Sequence, residues 1–94
     1  MNISVVATFI AKLGDEANIQ TLAMQAIAPT LKENGCLKYA LHINKDNSRE
    51  FVFIEEWKSQ EDLDLHLKTK HVQVLFNGIQ PYIESSDIKV YKPL

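Results

Sequence analysis

The residues of this chain that are best suited to chemistry cluster around one short apolar run. Glu55 and the only tryptophan, Trp57, stand two positions apart at the end of the run, and His66 follows nine positions later. Burial can shift the pKa of a carboxylate or an imidazole into the range where it transfers protons near neutral pH. An indole offers a flat apolar surface for an aromatic ligand. We therefore predict a small-molecule site with Trp57, His66 and Glu55 as its catalytic residues.

Side chains from neighbouring segments are predicted to complete the site by contacting the substrate. Aromatic rings in the same run can make offset or edge contacts with a flat substrate, and a tyrosine adds a hydroxyl group. A leucine three positions before His66 would share its helix face. The histidine at position 71 stands near a predicted helix break, where surface and capping histidines are common. The predicted substrate-binding residues are Tyr39, Phe51, Phe53, Leu63 and His71.

A structural role stays open for each catalytic candidate. A lone tryptophan in a small domain commonly fills the core. His66 could be a core histidine whose ring is satisfied by a backbone group or by Glu55, and Glu55 could be held by a nearby histidine or tyrosine. The sequence does not decide between these roles and the chemical ones.

The motifs that hold metals and nucleotides are absent from the sequence. The three histidines, His42, His66 and His71, have neither the i, i+4 pairing nor the accompanying cysteines of a zinc site. Cys36 is the only cysteine, which favours a structural thiol. Three glycines in the whole chain leave no glycine-rich phosphate loop for a nucleotide or flavin. We predict a site without metal or cofactor, while haem binding at His66 stays open.

Composition and charge restrict the class of protein further. With 94 residues, 46% of them apolar, the chain is predicted to form one domain over residues 1–94. A net charge of -2, with one arginine and scattered lysines, offers no basic stripe for nucleic acid. No run approaches the ~18 apolar residues that would indicate a membrane span. The lone cysteine and the lack of a leader-like start favour the cytoplasm.

The spacing of apolar residues and the positions of turn residues predict a strand and a helix, then a β-hairpin, then a second helix and a last strand. Apolar spacing of three and four residues indicates a helix that Asp15 caps and Gly35 ends, with Pro29 kinking it or restarting its last turn. Ser59, three positions before Asp62, resembles a capping box at the start of a second helix. The predicted strands cover residues 3–11, 36–44, 50–58 and 87–92, and a short helical segment ends at Gly78.

This order of elements, βαββαβ, predicts a ferredoxin-like α+β fold with a four-stranded antiparallel sheet and the helices on one face. Strand alternation places Tyr39, Phe53 and Trp57 on the helix side. The opposite face then carries a mixed set: Cys36, Lys38, Ala40, His42, Val52, Ile54, Glu56 and Lys58. Because a bare and partly apolar face usually marks an interface, we predict a homodimer, with a monomer as the alternative.

Three motifs give the chain a resemblance to a known family. They are Gly35-Cys36-Leu37-x-Tyr39-x-Leu41, Phe51-Val52-Phe53-Ile54-Glu55-x-Trp57 and Leu63-Asp64-x-His66-Leu67-x-Thr69-x-His71. Together, over residues 3–92, they resemble the antibiotic biosynthesis monooxygenase family, including its quinol monooxygenase type. The resemblance implies a dimeric α/β barrel with a pocket between sheet and helices in each subunit. It also implies that Trp57 lines this pocket.

The activity that the resemblance implies is cofactor-independent oxidation of a small aromatic or quinol-type substrate with O2. Such a reaction needs a flat pocket, a group that promotes deprotonation and few waters. Polyketide-oxidising relatives carry an amide four residues before the tryptophan, where this chain has Phe53, so a different substrate or proton carrier is implied. The alternatives are an isomerase or processing enzyme for a small oxygenated signal metabolite and a non-catalytic small-ligand-binding dimer, since the fold hosts several functions.

Overall fold

The computed structural model describes residues 1–94 and contains a four-stranded antiparallel sheet with the helices packed on one face. The strands are β1 (Ile3–Ala11), β2 (Cys36–Asn44), β3 (Asn47–Trp57) and β4 (Ile83–Tyr91). The helices are α1 (Glu16–Gln25), α2 (Ile27–Leu31), α3 (Gln60–Leu67) and α4 (Lys70–Ile79), followed by a 3-10 turn over Gln80–Tyr82. The strand order β2-β3-β1-β4 confirms the predicted ferredoxin-like fold.

Pro29 divides the predicted first helix into α1 and α2. Because proline has no backbone N–H, it cannot donate to the carbonyl of Gln25, and the helical hydrogen bonds are interrupted there. At the end of α1 the Ala26 N–H donates to the carbonyl of Ala23 at 3.2 Å, and the chain restarts as α2. The predicted restart is therefore confirmed, and it places a short helix directly before the loop that enters β2.

The hairpin turn between β2 and β3 is tighter than predicted. Asn44 and Asn47 pair across a turn formed by Lys45 and Asp46, so β3 begins at Asn47 rather than at residue 50. The Asn44 side chain supports this turn by accepting the Asp46 N–H at 2.8 Å. The early start lengthens β3 and does not change which of its residues face the helices.

A β-bulge at the start of β2 reverses the predicted position of its cysteine. The register shifts between Cys36 and Lys38, so Cys36 lies opposite Trp57 and packs against the core. The prediction that Cys36 belongs to the outer face is therefore wrong. The register is continuous from Lys38 to Ile43, and Tyr39 faces the helices as predicted.

The second half of the chain follows the predicted order with shifted ends. Ser59 caps α3 by accepting the Asp62 N–H at 3.1 Å, as predicted. Helix α4 continues past Gly78, where a Cβ atom would meet the Leu22 side chain at 3.2 Å, so this glycine permits close packing of α4 on α1. Strand β4 begins at Ile83 rather than at residue 87.

The core occupies the space between the sheet and the helices. Phe51, Phe53 and Trp57, which alternate along β3, are each no more than 2% exposed beneath the helical layer. The outer face of the sheet carries no helix, and Ile54 on that face is 37% exposed. None of the helices has the length and apolarity that crossing a membrane would require.

Candidate functional site

Trp57 and Glu55 lie at the end of β3, where strand alternation directs both side chains toward the helices. Trp57 is fully buried, and its Nε1–H donates to Glu55 Oε1 at 2.9 Å. Glu55 is only 4% exposed and belongs to a set of three buried polar side chains, with Thr30 and His66. The sheet therefore holds a carboxylate in the core, with the indole as its hydrogen-bond donor.

His66 covers Trp57 from α3. Leu63 and His66 are the buried residues of this helix, which the Ser59 cap fixes at its first turn. The imidazole packs on the indole with ring centroids 4.5 Å apart, and its ring meets the Tyr39 ring edge-on at 5.4 Å. Trp57, His66 and Tyr39, which the sequence analysis assigned to one site, thus lie in contact on the same side of the sheet.

Glu33 is a residue of this cluster that the sequence analysis missed. Its Oε2 lies 2.7 Å from His66 Nδ1 and 2.7 Å from His71 Nε2. A carboxylate can only accept hydrogen bonds, so both of these ring nitrogens carry hydrogen when Glu33 is ionised. One carboxylate oxygen therefore joins the buried His66 to His71, whose side chain is 24% exposed.

The loop that carries Glu33 is held against α3 by a glycine. Gly35 has a φ of 93°, which glycine adopts without strain, and a Cβ atom there would overlap the Asp62 carboxylate. The Gly35 carbonyl also accepts the Lys58 N–H at 2.9 Å. These contacts fix the loop beside the first turn of α3 and so place Glu33 within reach of both histidines.

A small cavity lies between the sheet and helices α3 and α4. Its volume is ≈ 20 Å³, enough for about one water molecule. Tyr39, Glu55 and His66 line it among apolar side chains that include Phe53 and Leu63. The Tyr39 ring stacks on Phe53 with centroids 4.4 Å apart. Polar groups of the site thus reach a shared internal space, although an aromatic ring would enter it only after the walls move.

A larger pocket adjoins this cavity on the side of β4. It measures ≈ 160 Å³ and extends past Ile79 and Ser86. Phe9, Phe76 and Ile88 line both spaces and therefore form the wall between them. Phe76 and Ile88 are only partly covered by other side chains.

Burial changes the protonation of the site. Desolvation raises the pKa of Glu55 to about 7, against the opposing hydrogen bond from Trp57. Desolvation also raises the pKa of Tyr39, so its phenol stays protonated. The pKa of His66 is lowered by desolvation, and the Glu33 carboxylate acts in the opposite direction.

The tautomer of His66 follows from these contacts. A neutral imidazole carries one hydrogen, and the bond to Glu33 places it on Nδ1. The other nitrogen, Nε2, then has a free lone pair. This arrangement, a carboxylate that orients a neutral imidazole, is suited to general base catalysis.

Two of the singled-out residues lie away from this cluster. Phe51 is buried at the other end of the core, where it lines a groove of ≈ 230 Å³ with Met24 and Leu41. His42 is exposed on β2, with its Nδ1 3.3 Å from the Ala40 carbonyl oxygen. The predicted substrate-binding role of Phe51 would therefore need a ligand that reaches beyond the His66 cavity.

Solved structures show the same fold over nearly the whole chain. A conserved protein from Methanosarcina mazei is 27% identical with a TM-score of 0.94, covering 100% of this chain and 94% of that one. PA3566 from Pseudomonas aeruginosa is 26% identical with a TM-score of 0.92, covering 99% and 95%. A crystal structure named an antibiotic biosynthesis monooxygenase is 26% identical with a TM-score of 0.92, covering 98% of each chain.

Sequence comparison extends this likeness. The uncharacterised protein sll1783 from Synechocystis is 26% identical over 72 residues, which are 76% of this chain. The chain spans about half the length of that relative, 49%. The profile of the family described as antibiotic biosynthesis monooxygenase matches residues 2–77, which include β1 to β3, α3 and the whole Glu33, Trp57 and His66 cluster. The chain belongs to the antibiotic biosynthesis monooxygenase family.

Proposed function

We propose that the protein is a cofactor-independent monooxygenase that oxidises a small aromatic or quinol-type substrate with O2. The observation that carries the proposal is the bond from His66 Nδ1 to Glu33, which leaves Nε2 of the same ring free to accept a proton. Tyr39 and Trp57 surround this imidazole with aromatic surface. Membership of a family named for monooxygenases supports the oxidation chemistry.

In the proposed reaction, His66 Nε2 accepts a hydroxyl proton from the substrate, and the resulting electron-rich anion reduces O2. One oxygen atom forms a bond to a ring carbon and replaces its hydrogen. The other oxygen leaves as water with two hydrogens from the substrate, so a hydroquinone becomes a hydroxyquinone. The substrate supplies all the electrons, and no external reductant is needed. Glu55, with its pKa raised to about 7, can return a proton to the departing oxygen.

Substrate entry requires the internal cavity to enlarge. We propose that Phe76 turns aside and joins the ≈ 20 Å³ cavity to the ≈ 160 Å³ pocket beside it. The merged space would place a ring between Phe53 and His66, with its edge near Glu55. Closure of Phe76 behind the substrate would then exclude water from the anion, which protects it until O2 reacts.

Oxygen uptake with menadiol and with anthrone tests the proposed function. Wild type should consume O2 faster than the uncatalysed reaction, and His66→Gln should reduce the catalysed rate by at least about 100-fold, because a positioned base contributes roughly this much. His42→Gln is the matched control, since this exposed histidine lies outside the cluster. Uptake that stays at the uncatalysed rate for both substrates in wild type would contradict the proposal. Turnover that persists without O2 would instead support an isomerase.

The groove at the other end of the core favours a second candidate function, non-catalytic binding of a small ligand. It is lined by Gln20, Met24, Leu41 and Phe51 and, at ≈ 230 Å³, is larger than the cavity beside His66. His42 also lines this groove and is its only imidazole, but its Nδ1 lies 3.3 Å from the Ala40 carbonyl oxygen rather than beside a carboxylate. Saturable binding of an aromatic ligand that is recovered unchanged, and that Met24→Trp blocks, would support this candidate. Binding that Met24→Trp leaves intact would contradict it.

We also propose that two copies of the chain associate through the outer face of the sheet. Ala40, Ile54 and Val6 align across three neighbouring strands, giving this helix-free face an apolar centre. Sedimentation of wild type should give the mass of a dimer, and Ile54→Asp should give the monomer. Leu65→Asp is the control, because Leu65 is 63% exposed on α3 and lies away from this face. A wild-type monomer, or a dimer that survives Ile54→Asp, would contradict this interface.

A further inference from the structure

Glu33, His66 and His71 bring three potential metal ligands to one place. Glu33 Oε2, His66 Nδ1 and His71 Nε2 all lie within 4.8 Å of one another. They come from the loop before β2, from α3 and from the first turn of α4. The spacing of the histidines and the lack of accompanying cysteines had predicted no metal site. The sequence pattern does not reveal the cluster, because its carboxylate comes from a distant part of the chain.

The chemistry of this donor set matches a first-row divalent transition metal. Two imidazoles and one carboxylate are ligands that Zn²⁺, Co²⁺, Ni²⁺ and Fe²⁺ accept, with the remaining positions left for water or an exogenous anion. The hard cations Mg²⁺ and Ca²⁺ prefer sites made mainly of oxygen. The cluster should therefore bind these transition metals in preference to Mg²⁺ and Ca²⁺.

Coordination requires the Glu33 oxygen to move by about half an ångström and the two histidine nitrogens, which lie within 4.8 Å of one another, to approach by up to about 1.5 Å. In a tetrahedral site with metal–ligand bonds of about 2.0–2.1 Å, neighbouring ligand atoms stand about 3.3 Å apart. The Glu33 oxygen is 2.7 Å from each histidine nitrogen, so it would have to withdraw by roughly half an ångström from both. Glu33 lies in a loop and His71 is partly exposed, so both side chains have room to move.

An ion can also reach the cluster from solvent. The side-chain exposure is 24% at His71, 14% at Glu33 and 4% at His66, so the three donors lead inward from the surface. His71 lines an open pocket of ≈ 400 Å³ between α1 and α4. A bound ion would thus have His66 on its protein side and exchangeable ligands on the side of this pocket.

We propose that Glu33, His66 and His71 form a binding site for a first-row divalent transition metal, with His66 Nδ1, His71 Nε2 and a Glu33 oxygen as ligands. Coordination through Nδ1 moves the hydrogen of His66 to Nε2. The metal-bound ring can no longer accept a proton at Nε2, so occupancy of this site and the base role of His66 exclude each other. Metal binding itself does not depend on the proposed oxidation.

Fluorescence of the only tryptophan provides a direct test. The Trp57 and His66 rings are 4.5 Å apart, so a paramagnetic ion on His66 should quench the indole emission. Titration of the full, tag-free chain with Co²⁺ or Ni²⁺ should give quenching that saturates at one ion per chain. EDTA should reverse it, excess Zn²⁺ should compete, and Mg²⁺ should have no effect.

Substitution of the metal-binding residues distinguishes this site from adventitious binding elsewhere on the chain. Glu33→Gln and His71→Asn should each weaken Co²⁺ binding by at least about 10-fold, which is the loss expected even for a residue that only supports a ligand. His42→Asn should bind as wild type does. Far-UV circular dichroism reports whether each variant is folded. Because His71 is partly exposed, His71→Asn keeps the test valid should Glu33→Gln unfold the chain.

Two outcomes would overturn the proposal. One is the absence of saturable quenching by Co²⁺ and Ni²⁺ in wild type. The other is quenching of equal strength in wild type and in His71→Asn, which would place the ion elsewhere. A rise in the wild-type unfolding temperature with Zn²⁺ that His71→Asn lacks would support the site independently, since a ligand that binds only the native state stabilises it.

Discussion

The two ends of the space beneath the helices are equally buried and chemically different. At one end Phe51 is 2% exposed and lies opposite Phe9 of β1, which is 3% exposed. At the other end Trp57 is fully buried, yet it packs against an imidazole and donates to a carboxylate. Burial of ionisable groups costs stability, whereas burial of phenyl rings contributes to it. The first end therefore serves only the fold, and the buried ionisable groups make the second end the candidate for function.

The largest effect on stability is expected at the apolar end. Phe51→Ala removes a buried ring and leaves a cavity, which should lower the free energy of unfolding by about 3–5 kcal/mol. His42, whose imidazole also lines the groove beside Phe51, is exposed to solvent, so the loss should be nearly the same at pH 5 and at pH 8. Urea unfolding at both pH values measures it. A loss of unfolding free energy that differs by more than about 1 kcal/mol between the two pH values would contradict the contrast between the apolar end and the ionisable end.

The next effect concerns the ionisable end and should depend on pH. The native pKa of Glu55 is raised to about 7 from an ordinary value of 4.5, so the folded chain binds more protons than the unfolded chain in this interval. The contribution of Glu55 therefore lowers the free energy of unfolding of wild type as pH rises from 4.5 to 7. Glu55→Gln cannot titrate, and its carbonyl oxygen can still accept the Trp57 N–H.

The measurement for Glu55→Gln is the difference in unfolding free energy from wild type, followed across pH. From pH 4 to pH 8, the free energy of unfolding of Glu55→Gln should rise relative to that of wild type by up to about 3 kcal/mol. His66, Glu33, Tyr39 and Cys36 remain in both proteins, so their contributions largely cancel in this difference. A difference that stays constant with pH would show that Glu55 is not buried as described.

The smallest effect comes from a hydroxyl at the edge of the ionisable end. Thr30 Oγ1 is buried and, although it lies close to the Tyr39 hydroxyl, the two groups lack hydrogen-bond geometry. Thr30→Val keeps the shape and removes the unsatisfied group, so it should raise the free energy of unfolding by about 1 kcal/mol. Thermal unfolding would detect this gain. A loss of stability would mean that the hydroxyl has a partner.

The sequence predicted the parts of the site that follow from regular periodicity. Alternation along β3 and the helical spacing of Leu63 and His66 were enough to place Trp57 and His66 on one side of the sheet. Glu33 could not be predicted in this way, because it lies in an irregular loop and meets His66 only through the tertiary fold. Cys36 was placed on the wrong face because a β-bulge interrupts the alternation that the prediction assumed.

The shifted element ends have causes in the tertiary fold. Strand β4 was predicted too short because Ile83 to Ser86 contain few β-branched residues, and pairing with β1 extends the strand through them. Gly78 was taken as the end of a helix, yet it lies inside α4, where the contact with Leu22 requires a small residue. In both cases tertiary packing overrides the local signal.

Histidine nitrogen NMR tests the central claim most directly, which is that Glu33 holds His66 as a neutral imidazole with a free Nε2. Long-range ¹H–¹⁵N spectra of the metal-free chain should show, at pH 7, the His66 ring as the neutral Nδ1–H form, with a pKa below the ordinary value of 6.5. His66→Gln should remove that signal, and His42→Gln should leave it unchanged. A His66 that is the Nε2–H tautomer, or that is charged at pH 7, would contradict the account.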